Sequence, residues 1–170
     1  MKNQRFQILV FTLVLSLSII IGCEKPDPAI TLEPLLDKYL EIWNTGNTDN
    51  IDEVIHPDFE LRMTPKFEAE KGIEVFKETL QKWRKAYPDF RVEVTERIYA
   101  KDAAAVRWII TATNSGEGWY PPTGKRVEVP GMSIFHFQDG KVKDEWIAGN
   151  NGNWLTQLGF KLVPPWNDRK

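Results

Sequence analysis

Three charged residues are predicted to share a strand or a strand face with apolar side chains, where they could carry out acid/base chemistry. Glu145 shares a predicted strand face with Ile147, and Glu96 alternates in phase with apolar neighbours. Arg107 lies inside the most apolar run of the chain, where a buried guanidinium needs a carboxylate partner. A carboxyl group on an apolar pocket wall has a raised pKa and can serve as a general acid or base. We therefore take Glu145, Arg107 and Glu96 as candidate catalytic residues.

Each of these candidates also has a purely structural interpretation. Glu145 could be a solvated rim residue paired with a lysine or with Arg107, because most charged side chains are exposed. A β-bulge near Glu96 would turn its side chain outward. The spacing of the residues leaves both alternatives open.

The sequence offers few groups for metal binding or nucleophilic catalysis. His56 and His136 are the only histidines and Cys23 is the only cysteine, so we expect no transition-metal site. His136 alternates out of phase with Ser133, which predicts that the two side chains lie on opposite sheet faces. Gly131-Met132-Ser133 lacks the trailing glycine of a nucleophile elbow, and no glycine-rich phosphate loop is present. We expect no metal and no cofactor.

Hydrophobic periodicity predicts three helices in the first half of the chain. The first runs from a cap at Thr31 to a stop at Asn44-Thr45-Gly46, and a short second helix opens at Thr48. The second ends at His56, because a residue before proline avoids the helical region. A short strand over 58–63 precedes the third helix, which has apolar residues every three or four positions: Ile73, Phe76, Leu80, Trp83 and Tyr87.

The second half of the chain alternates with a period of two, which predicts long antiparallel strands. The first strand presents one apolar face made of Phe90, Val92, Val94 and Ile98. The next, over 103–113, is apolar almost throughout, which predicts burial on both faces. After a loop over 114–126, the strand over 127–138 contains Pro130-Gly131, a predicted bulge.

Asp139-Gly140 predicts a two-residue hairpin turn into a last strand that ends near Ala148, and a final helical segment covers 153–158. Three N-terminal helices packed on one face of such an antiparallel sheet form an α+β fold.

Residues 1–22 have the layout of an export signal. Lys2 and Arg5 precede an uncharged apolar run over 8–21, which is shorter than the roughly 20 residues that span a bilayer. The segment ends in Ile20-Ile21-Gly22-Cys23, which resembles the bacterial lipobox, in which the cysteine is lipidated and becomes the N-terminus. An uncleaved anchor with an incidental cysteine is the alternative. We expect export and lipid anchoring through Cys23 in the bacterial cell envelope, in the periplasm or on the outer face.

The rest of the chain is predicted to form a tether over 23–30, one domain over 31–160 and a tail over 161–170. The sequence contains 22 basic and 24 acidic residues, and removal of the signal takes away Lys2 and Arg5. Nucleic-acid binding normally requires a basic face, so we expect no nucleic-acid partner.

Several motifs, in order along the chain, resemble those of SnoaL-like polyketide and ester cyclases. They are the stretch from Trp43 to Phe59, Tyr87-Pro88-Asp89-Phe90, the block from Pro121 to Val127, Asp139-Gly140-Lys141-Val142 with Trp146, and Gln157-Leu158-Gly159. The resemblance covers 32–159 and implies the nuclear transport factor 2-like fold, a curved sheet wrapped on helices around a conical apolar pocket. It also implies homodimers through the outer sheet face. The family's cyclases close a ring by intramolecular aldol condensation, with an aspartate acid/base, a nearby histidine and no cofactor.

The resemblance also places other residue types at the family's catalytic positions. Counted from Asp139-Gly140-Lys141 and Gln157-Leu158-Gly159, the aspartate's place falls at Ile147 and the histidine's at Ser133. Neither side chain can move a proton at neutral pH as the family's residues do. Glu145 is the acid nearest the vacated aspartate position. An Arg107 between Glu145 and Glu96 would resemble the acid-arginine-acid arrangement of epoxide hydrolases with this fold.

The implied pocket is expected to hold a small, largely apolar molecule. Its expected lining residues are Trp43, Trp119, Tyr120, Ser133, Phe135 and Ile147. Trp119 and Tyr120 lie in the loop expected at the pocket mouth, whereas the remaining tryptophans are more often core residues. Isomerase, cyclase and hydrolase activities remain open. A non-catalytic module that docks another envelope protein is the alternative.

Overall fold

The computed structural model of the chain describes residues 27–64, 68–161 and 163. The described elements are α1 (Pro28–Thr45), α2 (Ile51–Val54), β1 (Ile55–Met63), β2 (Glu70–Lys71), α3 (Ile73–Ala86), β3 (Arg91–Tyr99), β4 (Ala103–Thr113), β5 (Arg126–Gln138), β6 (Lys141–Gly149) and α4 (Asn151–Leu158). The predicted signal, the first half of the predicted tether with Cys23, and all of the predicted tail except residues 161 and 163 lie outside the described residues. Within the described ranges, none of the helices combines the length and hydropathy needed to cross a bilayer.

The strands form a six-stranded sheet with the order β2-β1-β6-β5-β4-β3. Its neighbouring strands are antiparallel except for β1 and β6, which run parallel. The sheet is therefore mixed and not purely antiparallel as predicted, because β1 joins the last strand of the meander by a long-range contact that no hairpin turn specifies. The predicted turn between β5 and β6 is confirmed, since Asp139 and Gly140 have φ values of 52° and 71°.

The ends of α1 depend on local capping interactions. The Asp27 side chain accepts a 3.0 Å hydrogen bond from the Ala29 backbone N–H, and Pro28 lies in the first turn, where proline is favoured. The helix thus begins before the predicted cap, Thr31, and residues 28–30 are helical and not part of an extended tether. Gly46 ends the helix in the left-handed conformation, as the predicted stop requires.

The core lies between the helices and one face of the sheet. The Tyr39 ring of α1 packs against Phe59, Phe76 and Phe135, with ring centroids 6.1, 5.7 and 5.4 Å away. All four side chains are at most 1% exposed. This aromatic packing holds α1 and α3 against β1 and β5.

The predictions for β4 and β3 are wrong for two reasons: the described helices cover one face of the sheet, and β3 contains a bulge. β4 alternates between buried and more exposed residues, so it is not buried on both faces, and Arg107 is exposed. In β3 the pairing register shifts between Val94 and Glu96, and this bulge leaves Ile98 62% exposed.

The predicted bulge at Pro130-Gly131 is also absent from the pairing of β5 with β4, which continues through these residues without a shift. The irregularity of β5 lies in its pairing with β6, between His136 and Phe137. Gly131 has a packing role instead, because the Trp108 ring occupies the space that a side chain would need there.

Candidate functional site

A cavity of about 120 Å³ opens between the helices and the inner face of the sheet. Its lining is mainly apolar and includes four indole rings, those of Trp43, Trp83, Trp108 and Trp154. An apolar cavity of about 150 Å³ is known to hold benzene, so this space suits a ligand of about one ring. The four tryptophan side chains line this cavity without filling it.

Among the described residues that line the cavity, Glu145 is the only one with an ionisable side chain. The alternation of β6 turns it to the inner face, where it is 5% exposed. Burial raises the pKa of its carboxyl group to about 7, although hydrogen bonds from Tyr39 and Ser133 act in the opposite direction. Protonated and ionised forms therefore coexist near neutral pH, as a general acid or base requires.

Tyr39 is the nearest partner of this carboxyl group. Its hydroxyl donates a hydrogen bond of 2.5 Å to Oε2 of Glu145 from α1. Burial, and then the charge of Glu145, raise the pKa of the Tyr39 phenol well above its ordinary value. Tyr39 consequently stays protonated and remains a donor. Tyr39 was not among the predicted site residues, although its spacing of four residues from Trp43 indicates that both side chains lie on the same side of the helix.

Ser133 approaches the carboxyl group from the neighbouring strand. Trp108 Nε1 donates a 2.9 Å hydrogen bond to Ser133 Oγ, and an indole N–H cannot accept. The hydroxyl proton of Ser133 is thus free to point to Glu145, with which it also hydrogen-bonds. Ser133 pairs directly with Ile147 across the two strands, and both line the cavity together with Trp43. The two positions at which the family resemblance implies a histidine and an aspartate are therefore side by side in the cavity wall.

Arg107 and Glu96 are not part of this site. They are cross-strand partners on the outer sheet face, with Arg107 Nη1 3.2 Å from Glu96 Oε2 and side chains that are 66% and 50% exposed. The bulge in β3 turns Glu96 outward, and the alternation of β4 does the same for Arg107. The interpretation of Arg107 as support for Glu145 is therefore wrong, and the acid-arginine-acid arrangement does not form.

The loop aromatics and Phe135 also lie away from the cavity. Trp119 packs against Trp83 with ring centroids 5.0 Å apart and is 54% exposed, and Tyr120 packs against Phe160 at 4.8 Å. Both line a separate surface groove that includes Lys82, Lys85 and Glu117. Phe135 is fully buried in the core beside Tyr39.

The position of the loop follows from its contact with the end of α3. The Gly116 N–H donates to the Ala86 carbonyl at 3.1 Å. Cβ atoms at Gly116 and Gly118 would clash with Lys85 O and with the Ala86 side chain, at 1.9 and 2.5 Å. The two glycines therefore let the loop pack closely on α3, and its aromatic residues line the separate groove and not the cavity.

Both histidines lie outside the cavity, where their side chains make polar contacts with other residues. His136 Nδ1 lies 2.8 Å from Asp144 Oδ1 on the outer face, and His56 Nδ1 accepts a 3.0 Å hydrogen bond from the Asp58 N–H. Across residues 27–64, 68–161 and 163, no group of three or more histidine, cysteine, aspartate or glutamate side chains could hold a metal ion.

Comparison with known proteins gives one consistent set of matches. The family profile of the SnoaL-like polyketide cyclases matches residues 33–158. The aklanonic acid methyl ester cyclase AcmA of Streptomyces galilaeus is 27% identical over 133 residues, covering 76% of this chain and 88% of that protein. The nogalonic acid methyl ester cyclase of Streptomyces nogalater is 27% identical over 129 residues, covering 74% of this chain and 92% of that protein.

Solved structures with the same fold cover most of the chain. TsrD of Streptomyces laurentii superposes with a TM-score of 0.69 and 24% identity, covering 79% of this chain and 98% of that one. A proposed SnoaL-like polyketide cyclase of Jannaschia sp. CCS1 gives a TM-score of 0.72 at 21% identity, covering 85% and 99% of the two chains. At these identities the structures establish the fold alone.

Proposed function

The chain belongs to the SnoaL-like polyketide cyclase family and has its nuclear transport factor 2-like fold, and from this premise we propose that it binds a small, largely apolar carbonyl compound and moves a proton on it with Glu145. The observation that carries the proposal is a buried carboxyl group with a pKa of about 7 in the wall of an apolar cavity. The reaction class is acid/base isomerisation or ring closure. Ring closure is also the activity that the names of the two Streptomyces relatives give them.

In the proposed reaction, ionised Glu145 removes a proton from a carbon next to the ligand's carbonyl group. The electron pair of the broken C–H bond moves into the carbonyl to form an enolate. In ring closure the enolate carbon attacks a second carbonyl in the same ligand, and the alkoxide that forms takes back the proton from Glu145. In isomerisation a different carbon of the ligand takes back that proton. Because Tyr39 and Ser133 already donate to the carboxylate, the transferred proton occupies a lone pair that they leave open.

In this scheme the acid/base group lies at Glu145 and not at the family's aspartate position, Ile147. Glu145 lies on the same face of β6 as Ile147, two residues and roughly 7 Å away along the strand. Ile147 and Ser133, at the family's catalytic positions, then serve as pocket wall and carboxylate donor respectively. Glu145 is therefore the group that would replace the family's aspartate in this chain.

Hydrogen-deuterium exchange on a small ketone tests this function directly. In D₂O, NMR would follow deuterium incorporation next to the carbonyl of cyclohexanone, which is one ring in size. The wild type should accelerate the exchange, and Glu145→Gln should not. Glu96→Gln, which makes the same change on the outer face, is the matched control and should behave as the wild type. Equal exchange by the wild type and Glu145→Gln would refute the assignment.

We further propose that the outer sheet face binds a second copy of the chain. Met132, Ile134 and Trp146 are 46%, 42% and 49% exposed there, and Ile134 pairs directly with Trp146 across β5 and β6. Exposed apolar patches of this kind mark protein interfaces. The same patch supports the alternative function, a non-catalytic module that docks another envelope protein.

We also propose that the domain is exported and held at a membrane by lipid on Cys23. The support is the sequence pattern alone: a charged start, an apolar run over 8–21 and a cysteine directly after Gly22. Stable anchoring needs two acyl chains or an equivalent second signal, and lipoprotein processing supplies more than one chain.

A further inference from the structure

The Trp108 side chain crosses the inner face of the sheet over two glycines. Trp108 of β4 pairs with Gly131 of β5, which in turn pairs with Gly149 of β6. A Cβ atom on Gly131 would lie 2.1 Å from Cη2 of Trp108, and one on Gly149 would lie 3.6 Å from the same atom. The six-membered part of the indole therefore occupies the space that a side chain on β5 would fill, and it reaches β6.

This ring is also held at its polar end. Trp108 Nε1 donates to Ser133 Oγ at 2.9 Å, and the side chain is 5% exposed while it lines the cavity. Movement of the ring would break a buried hydrogen bond, which is costly. Trp108 is thus a fixed wall of the cavity on the side of Ser133 and Glu145.

We propose that Trp108 determines the ligand size and positions Ser133, so that the substrates are carbonyl compounds of about one six-membered ring. The inference rests on the proposed function of the same cavity. The bulk of the indole excludes a second fused ring. Its N–H occupies one acceptor lone pair of Ser133 Oγ and cannot accept in return, which leaves the hydroxyl proton for Glu145.

Two substitutions at Trp108 separate these two roles. Trp108→Ala removes both the bulk and the N–H group, whereas Trp108→Phe retains a ring but loses the N–H group. Phe160→Ala truncates an aromatic side chain that packs on Tyr120 outside the cavity and is the control. Binding of toluene and of naphthalene would be measured by NMR titration. The midpoint of the Glu145 carboxyl titration would be followed by carbon NMR.

The wild type and Phe160→Ala should bind toluene at least about tenfold more tightly than naphthalene, because a filled wall cannot admit the second ring. Trp108→Ala should lose this preference. Trp108→Phe should keep most of it but should raise the Glu145 titration midpoint, because Ser133 is no longer held as a donor. A purely structural role for Trp108 would not separate the two variants in this way.

The outcomes distinguish this inference from the function on which it rests. If the wild type binds toluene but Trp108→Ala keeps the preference against naphthalene, the size role is overturned and the proposed function stands. An unchanged Glu145 midpoint in Trp108→Phe overturns the positioning role. If the wild type binds neither probe, both proposals fail. Should Trp108→Ala not unfold cooperatively, Trp108→Leu provides the same test with a smaller loss of volume.

Discussion

The hydroxyl of Tyr39 donates a 2.5 Å hydrogen bond to Oε2 of Glu145, and the two residues are 106 positions apart in the sequence. The contact joins the first helix to the last strand of the sheet. It gives the buried carboxyl group a donor that remains protonated at every pH near neutrality.

Glu145→Gln should make the protein more stable at alkaline pH. The folded state raises the pKa of this carboxyl group from about 4.5 to about 7, so folding favours its protonated form. The resulting stability is fully present below the unfolded pKa and is lost as the pH rises through about 7. Glutamine stays neutral, so the variant should exceed the wild type by about 3 kcal/mol at about pH 8 and match it near about pH 4.

Urea unfolding at several pH values would measure this difference in the free energy of unfolding. Glu96→Gln is the control and should show no such pH-dependent gain, because Glu96 is half exposed. A constant difference between wild type and Glu145→Gln across the pH range would contradict a raised pKa at Glu145.

Tyr39→Phe should move the Glu145 titration to higher pH. The Tyr39 hydrogen bond lowers the pKa of the carboxyl group, so its removal leaves burial less opposed. Loss of a hydrogen bond to a charged group should also cost roughly 2 kcal/mol of stability above neutral pH. Carbon NMR of the carboxyl group would give the titration midpoint. The pH at which the rate of any catalysed exchange rises should shift by the same amount, because ionised Glu145 is the base.

Tyr87→Phe is the matched control for this prediction. The Tyr87 hydroxyl accepts a 3.0 Å hydrogen bond from Trp154 Nε1 and does not contact Glu145. The control should lose stability without moving the Glu145 midpoint. If Tyr39→Phe leaves the midpoint where it is, the hydrogen bond does not tune the carboxyl group.

Gly131→Ala should destabilise the fold by about 1–3 kcal/mol, because the new methyl group overlaps the Trp108 ring and the ring is held in place. Gly152→Ala is the comparison within α4, where the nearest atom to the added Cβ would be 3.7 Å away. That substitution should stabilise the helix by up to about 1 kcal/mol. Thermal unfolding would rank the two variants, and equal effects would disprove the close packing at Gly131.

Trp146→Glu should dissociate the proposed homodimer. A charge at the centre of an apolar interface is left unpaired and desolvated, so association should weaken strongly. Sedimentation velocity would compare this variant with Val75→Glu, which introduces the same charge on α3 at a side chain that is 37% exposed. A wild type that sediments as a monomer at all accessible concentrations would eliminate the homodimer.

Cys23→Ala should release the domain from the membrane fraction or block processing of the signal. Ser18→Ala, in the same apolar run, keeps the cysteine and should leave anchoring unchanged. Fractionation combined with incorporation of a labelled fatty acid would measure both outcomes. Retention of Cys23→Ala in the membrane would argue against lipidation.

Sequence patterns predicted most of the fold because they reflect local interactions. The spacing of Ile73, Phe76 and Leu80 predicts α3, and Asp139-Gly140 predicts the turn between β5 and β6; both are present. The ordered motifs also identified the family. These features depend on residues near one another in the chain, so a single sequence is enough to reveal them.

The composition of the site depended on the tertiary structure. Glu145, Arg107 and Glu96 each share a predicted strand or strand face with apolar residues. Of the three, Glu145 alone lines the cavity, because the described helices cover one face of the sheet and β3 bulges before Glu96. Trp119 lies behind Trp83 because two glycines bring its loop onto α3.

The pairing of Tyr39 with Glu145, and of Trp108 with Ser133, required the assembled sheet and helix, since the residues that meet are far apart along the chain. Periodicity assigns a side chain to a face of its own element, but only long-range packing decides what that face meets. The sequence therefore established the family and the order of the elements, whereas the tertiary packing of helices on one sheet face determined that the Glu145 carboxyl group is buried.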